Sequence, residues 1–183
     1  MKYILTGSQG TGKSSLLHHF DGKMNTITEV VRNLAKDEHI PVNEQGSEYG
    51  QRRIFDTYYE LFSKTEGPWI SDRGLTDVLA YTCYNMKDKG EKGEKLMDEL
   101  MERFVKFQET NSDVIYFYVP IEFDVVWDGF RSMDEEFRKE IDKNIKDLLD
   151  VMGVDYITLT GSVEERLETM KDVMKNYGDM IYE

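Results

Sequence analysis

Gly7-Ser8-Gln9-Gly10-Thr11-Gly12-Lys13-Ser14 has the spacing G-x-x-x-x-G-K-[ST], and each residue type in it has a physical reason to stand beside phosphate. The glycines let the backbone curl so that successive N–H groups point inward at phosphate oxygens. Lys13 would bring a point charge to the β- and γ-phosphates of a nucleoside triphosphate, and the Ser14 hydroxyl would be a ligand for Mg²⁺. With Ser15, which follows directly, these residues form the expected cradle for ATP and Mg²⁺. A helix starting here would aim the positive end of its dipole at the same phosphates.

A second chemical element follows at Trp69-Ile70-Ser71-Asp72, a short apolar run ending in an acid, with Arg73-Gly74 after it. An aspartate at the C-terminal end of a strand is placed to hold Mg²⁺, usually through water. Arg73 would then point into the crevice where open α/β sheets bind their ligands.

These groups need a sheet to bring them together. Strand-like runs recur at Tyr3–Thr6, Met24–Thr28, Trp69–Asp72, Val114–Val119 and Asp155–Leu159. Helical patterns lie between them, the alternation of a parallel sheet covered on both faces. Ser47–Lys64 reads as a helix with Tyr49, Ile54, Tyr58 and Leu61 near one face. Leu96, Met97, Leu100, Met101 and Phe104 form a core stripe at helical spacing, and Phe137, Ile141, Ile145, Leu148 and Leu149 form another. Ser132 with Glu135, and Ser162 with Glu165, have the spacing of helix capping boxes. Asp37–Gly46 is irregular, and Met86–Lys95, with two glycines and dense charge, reads as a mobile surface loop.

The whole chain, 183 residues, reads as one domain. No stretch approaches the ~18 apolar residues of a membrane span. A formal charge of −13 argues against a large nucleic-acid interface, although it leaves a local contact open. The single cysteine, Cys83, reads as a buried helix residue and suits a reducing cytoplasm, the expected location. His18 and His19 read as helix surface and partial core, without ligand-like partners. A homodimer is left open.

The run Asp72-Arg73-Gly74-Leu75-Thr76-Asp77-Val78-Leu79-Ala80-Tyr81, together with the phosphate loop, resembles the ribosylnicotinamide-kinase-like branch of P-loop ATPases. That branch is similar in turn to deoxynucleoside and thymidylate kinases. The resemblance extends over Thr28–Arg32, Gln51 and the stretch from Phe130 to Arg138. It implies an α/β three-layer P-loop sandwich whose five parallel strands are ordered 2-3-1-4-5, with a small lid over roughly 121–138. Glu29 matches the acid that accepts the acceptor hydroxyl's proton; a carboxylate favoured by a helix N-terminus is the other reading. Arg32 would steady that carboxylate or touch a substrate phosphate, or be a solvated helix arginine. Gln51 matches a position where an amide reads a base edge, against a plain surface glutamine. Arg131 and Arg138 match lid arginines that neutralise the transferred phosphoryl group. Gly161, in Thr160-Gly161-Ser162, matches the loop that packs against the nucleotide base. The lid is sparse in arginine, and the glycine after Arg73 departs from the thymidylate and deoxynucleoside kinases, so neither substrate transfers directly.

A GTPase would need an N-K-x-D motif, which this sequence lacks. An oligomeric motor ATPase would need more chain for a helical lid domain and a sensor arginine. The expected activity is therefore phosphoryl transfer from ATP to a small nucleoside-like acceptor, a nucleoside or ribosylnicotinamide. Alternatives are a nucleoside monophosphate kinase, a kinase of a modified base in DNA, and a regulatory module that only binds ATP.

Overall fold

Tyr3, Ile4 and Leu5 are fully buried in succession, which marks a strand covered on both faces. They belong to β1 (Lys2–Thr6), the centre of a sheet in a computed structural model that describes residues 1–124 and 127–178. Residues 125 and 126 of the expected lid, and 179–183, lie outside the described residues. The other strands are β2 (Asn25–Ile27), β3 (Trp69–Asp72), β4 (Val114–Tyr118) and β5 (Tyr156–Thr158). All pair in parallel, in the order β2-β3-β1-β4-β5, as the resemblance implied.

Alternation along β1 divides the core in two. Ile4 joins Trp69, Tyr116 and Tyr118 on one face. That face packs against α2 (Val30–Asp37), α3 (Glu48–Lys64), α4 (Leu75–Met86), α5 (Glu91–Thr110) and α6 (Glu135–Val151). Tyr3 and Leu5 point the other way, with Ile70, Phe117 and Val119, onto α1 (Lys13–Leu17) and α7 (Val163–Asn176). The strand register sets the chemistry. Leu5 pairs with Asp72, and Arg73 N donates to Leu5 O at 2.9 Å, so the phosphate loop and the Asp72-Arg73 turn leave the sheet side by side.

Several local expectations change. Helix α6 is capped by Asp134, whose side chain accepts from Glu136 N and Phe137 N, and not by Ser132. Ser132 instead accepts from Asp134 N and bonds to Glu44. The Ser162–Glu165 capping box is present at the start of α7. Where a mobile surface loop was expected, Met86 ends α4, residues 87–90 form a turn and Glu91–Lys95 opens α5. Gly93 sits inside that helix because a Cβ there would collide with the Met86 carbonyl. The irregular Asp37–Gly46 stretch contains a 3₁₀ turn at Asn43–Gln45. Tyr49 and Cys83 are exposed, since α3 and α4 turn other faces inward. His18 and His19 are both exposed, in the 3₁₀ turn that follows α1. The methionine-rich stripe is core, with Leu96, Leu100 and Phe104 buried and Met97 and Met101 packed against them.

Candidate active site

Gly7 leaves β1 with φ +149°, where a Cβ would collide with the Val119 carbonyl, so only glycine fits. Gly10 and Gly12 follow at φ +70° and +92°, the left-handed conformation that gathers N–H groups into a concave anion site. Cationic side chains hold the carbonyls of the loop. Lys13 Nζ donates to Gly7 O at 2.7 Å, Ser8 O at 2.6 Å and Thr11 Oγ1 at 3.2 Å. Arg138 Nε donates to Gln9 O at 2.9 Å and its Nη2 to Gly10 O at 3.3 Å. Arg166 Nη1 donates to Thr11 O at 2.8 Å. Lys13 is only 4% exposed, not solvent-facing. Burial, aided by Arg73, pulls its pKa down to about 7, against the pull of Asp72 and Asp77. Ser15 is exposed on α1, and α1 is too short, at five residues, to add much of a dipole.

Ser14 Oγ donates to Asp72 Oδ2 at 2.6 Å, joining the end of the loop to the end of β3. Tyr58 OH donates to Asp72 O at 3.1 Å. Asp72 Oδ1 is buried with no hydrogen-bond partner, an oxygen that a hard cation would satisfy. Among the described residues no cluster of three or more His, Cys, Asp or Glu could cage a metal. Ser14 Oγ and Asp72 Oδ1 are hard oxygen donors of the kind that Mg²⁺ takes beside phosphates.

Asp77 was read only as part of a family run, yet it joins the two halves of the site. Its Oδ1 accepts from Gly7 N at 3.2 Å and its Oδ2 from Gly74 N at 3.0 Å. Burial pushes its carboxyl up, opposed by Arg73 and Lys13. Arg73 has φ +80°, a strained conformation for a residue with a side chain. Its guanidinium lies 3.8 Å from Asp77 and 5.4 Å from the Tyr81 ring centroid. Burial works against its charge, but Tyr81, Asp77 and Asp72 keep its pKa above the ordinary arginine value. Tyr81 OH in turn donates to Gln9 Oε1 at 2.8 Å.

A crevice opens beside these residues, with two ends sharing Val31, Asn43, Tyr58, Arg73 and Phe130. The apolar end adds Val42, Gln51, Ile54, Val78 and Tyr81. Gln51 is 2% exposed and within 3.2 Å of Thr82 Oγ1, at the crevice wall and not on the surface. The polar end adds Ser14, Asp72, Glu29, Arg32 and Arg131. Glu29 caps α2 at φ +58° and is 44% exposed, with Oε2 3.2 Å from Arg32 Nε. Arg32 Nη2 also reaches Asp128 Oδ2 at 2.7 Å, and Arg131 Nε lies 3.3 Å from the same oxygen.

Arg138 lines neither end of this crevice. It is 1% exposed and turned toward the back of the phosphate loop, away from where a lid arginine would meet a transferred phosphoryl group. Gly161 N donates to Glu122 Oε2 at 2.9 Å, which ties the turn after β5 to the chain entering the lid.

A family model described as an AAA domain matches residues 2–166. The chain belongs to the AAA domain family. Solved structures share the fold of this AAA domain. The NadR protein in complex with NR matches with a TM-score of 0.74 at 18% identity, over 97% of this chain and 51% of that one, so this chain spans about half its length. Thymidylate kinase from Candida albicans matches with a TM-score of 0.65 at 13% identity, over 97% and 92%. Deoxyadenosine kinase from M. mycoides, with product dCMP bound, matches with a TM-score of 0.60 at 15% identity, over 97% and 100%. No curated protein matches the chain. These are the folds of the group that the Asp-Arg-Gly run resembled. Among the described residues, no helix is long and apolar enough to cross a membrane.

Proposed function

We propose that this AAA domain protein transfers the γ-phosphoryl group of ATP to a hydroxyl of a nucleoside-like acceptor, a nucleoside or ribosylnicotinamide. The observation that carries the reading is the two-ended crevice. Its polar end meets the phosphate loop, and its apolar end has the lining of a site for a flat, partly apolar ring. The likeness to kinase folds supports the same reading.

In the proposed reaction the acceptor oxygen attacks the γ-phosphorus, the bond to the β-γ bridging oxygen breaks, ADP leaves, and the hydroxyl proton passes to Glu29. The loop N–H groups and Lys13 hold the β- and γ-phosphates. Ser14 and Asp72 would hold Mg²⁺, which neutralises charge on the phosphate oxygens when bound. Arg131 and Arg73, at the polar end, offset charge on the transferred group. Arg32 orients Glu29, and Gln51 offers the acceptor ring an amide that can donate and accept. Gly161 would pack against the ATP base.

Three arginines at the polar end, Arg32, Arg73 and Arg131, also suit an acceptor that is already anionic, the nucleoside monophosphate reading. Glu29→Gln separates the two. A hydroxyl acceptor needs a base, so the variant should lose roughly 10²–10⁴-fold in transfer rate with ATP affinity nearly unchanged. Transfer close to wild type, highest with nucleoside monophosphates, would favour the phosphate acceptor.

A further inference from the structure

Arg138 and Arg166 are each 1% exposed, and a guanidinium this deep is costly unless its donors are used. Most of them are used on the phosphate loop and on the chain entering the lid. Arg138 takes Gln9 O and Gly10 O on the loop and Phe123 O at 2.7 Å at the lid entrance. Arg166 takes Thr11 O on the loop and, through Nη2, the Glu122 carboxylate. It also lies over the Phe123 ring at 5.2 Å. Glu122 closes the circuit by accepting from Gly161 N.

A trans peptide unit is planar, with its C=O and the next N–H pointing in opposite directions. Holding Gln9 O, Gly10 O and Thr11 O on the outside of the loop therefore holds the N–H groups of Gly10, Thr11 and Gly12 on the inside. Gly10 and Gly12 have no Cβ to restrict them, and their positive φ values leave these planes free to turn without an outside tether.

We propose that Arg166, together with Arg138, is a positioning residue for phosphate binding: the two guanidiniums lock three peptide planes so that their N–H groups converge on the triphosphate. This rests on the reading of the loop as a triphosphate site. The role needs arginine, because the planar fork delivers donors in fixed, divergent directions whereas a lysine ammonium is a single point on a flexible stem. The same forks tie the loop to Glu122 and Phe123, so the lid entrance and the turn at Gly161 keep a fixed relation to the phosphates.

The test compares Arg166→Lys with wild type, using inorganic tripolyphosphate with Mg²⁺ as a probe of the loop alone, and ATP and the best acceptor as further ligands. Lysine keeps the charge and loses the fork. Tripolyphosphate and ATP should each bind at least about tenfold more weakly, while acceptor affinity stays within about twofold, a split that general loosening of the fold would not produce. Arg138→Lys should behave the same way through Gln9 and Gly10, and stands in if the Arg166 variant fails to fold. Wild-type affinity for tripolyphosphate in a folded variant would overturn the inference alone. Equal weakening of phosphate and acceptor binding would reduce the arginines to fold stability and overturn it too. Failure of the wild type to bind either ATP or tripolyphosphate would overturn the triphosphate reading and the inference with it.

Discussion

Replacing Lys13 with Met should remove a pH dependence of stability that the wild type carries. The ammonium is 4% exposed, and its pKa falls from 10.5 to about 7, through burial first and Arg73 second. Between those values the unfolded chain binds a proton at this residue that the folded chain does not. Stability must therefore rise with pH across the window, and the gain is lost as pH falls toward about 7. One proton of difference gives a slope approaching about 1.4 kcal/mol per pH unit, hence about 2 kcal/mol between roughly pH 7.5 and 9. Urea unfolding of both proteins across that range measures it, and the wild-type curve should climb relative to the Met curve by this amount. Phosphate beside Lys13 favours the ammonium, so ATP binding near pH 8 should take up close to one proton, readable by calorimetry in buffers of different ionisation enthalpy. Parallel stability curves and no proton uptake would refute the reasoning. They would show that the carbonyls of Gly7 and Ser8 keep Lys13 charged throughout.

Two further substitutions probe the polar end. Asp72→Asn keeps an acceptor for the Ser14 hydroxyl but removes the charge offered to a cation. The Mg²⁺ needed for half-maximal transfer should rise at least about tenfold with little change in thermal midpoint; an unchanged Mg²⁺ titration would contradict the assignment. Arg131→Ala should lower kcat by roughly 10²–10³-fold with a much smaller rise in the KM for ATP. A change in KM alone would make Arg131 a nucleotide contact without a transition-state role.

The sheet and the phosphate end of the site were legible because both depend on local pattern. Buried parallel strands read as continuous apolar runs, so Tyr3–Thr6 and Trp69–Asp72 stood out, and the register between them follows once they are neighbours. The glycine-rich spacing announces itself for the same reason. What escaped depends on where a side chain ends after packing. Arg166 carries no local signal that sets it apart from the other charges of α7, but α7 lies against α1 and brings its guanidinium to the Thr11 carbonyl. Arg138 lies in the expected lid by position, yet the helix start at Glu135 turns it to the back of the loop. Asp77 stood in the family run without a role, because one of its two backbone donors, Gly7, comes from the phosphate loop, 70 residues away in the sequence. Cys83 followed the apolar average of α4, although its own position faces outward.

The most direct test of the central claim is transfer of label from γ-labelled ATP to a panel of nucleosides, ribosylnicotinamide, nucleoside monophosphates and DNA carrying modified bases, with ADP followed in parallel. The account predicts acceptor-dependent ADP formation, with one label per ADP recovered on a hydroxyl of a nucleoside or of ribosylnicotinamide, and none of it in Asp72→Asn at low Mg²⁺. ADP and free phosphate released at the same rate with or without any acceptor, and no labelled product, would contradict it and leave an ATP-binding or ATP-hydrolysing domain in place of a kinase.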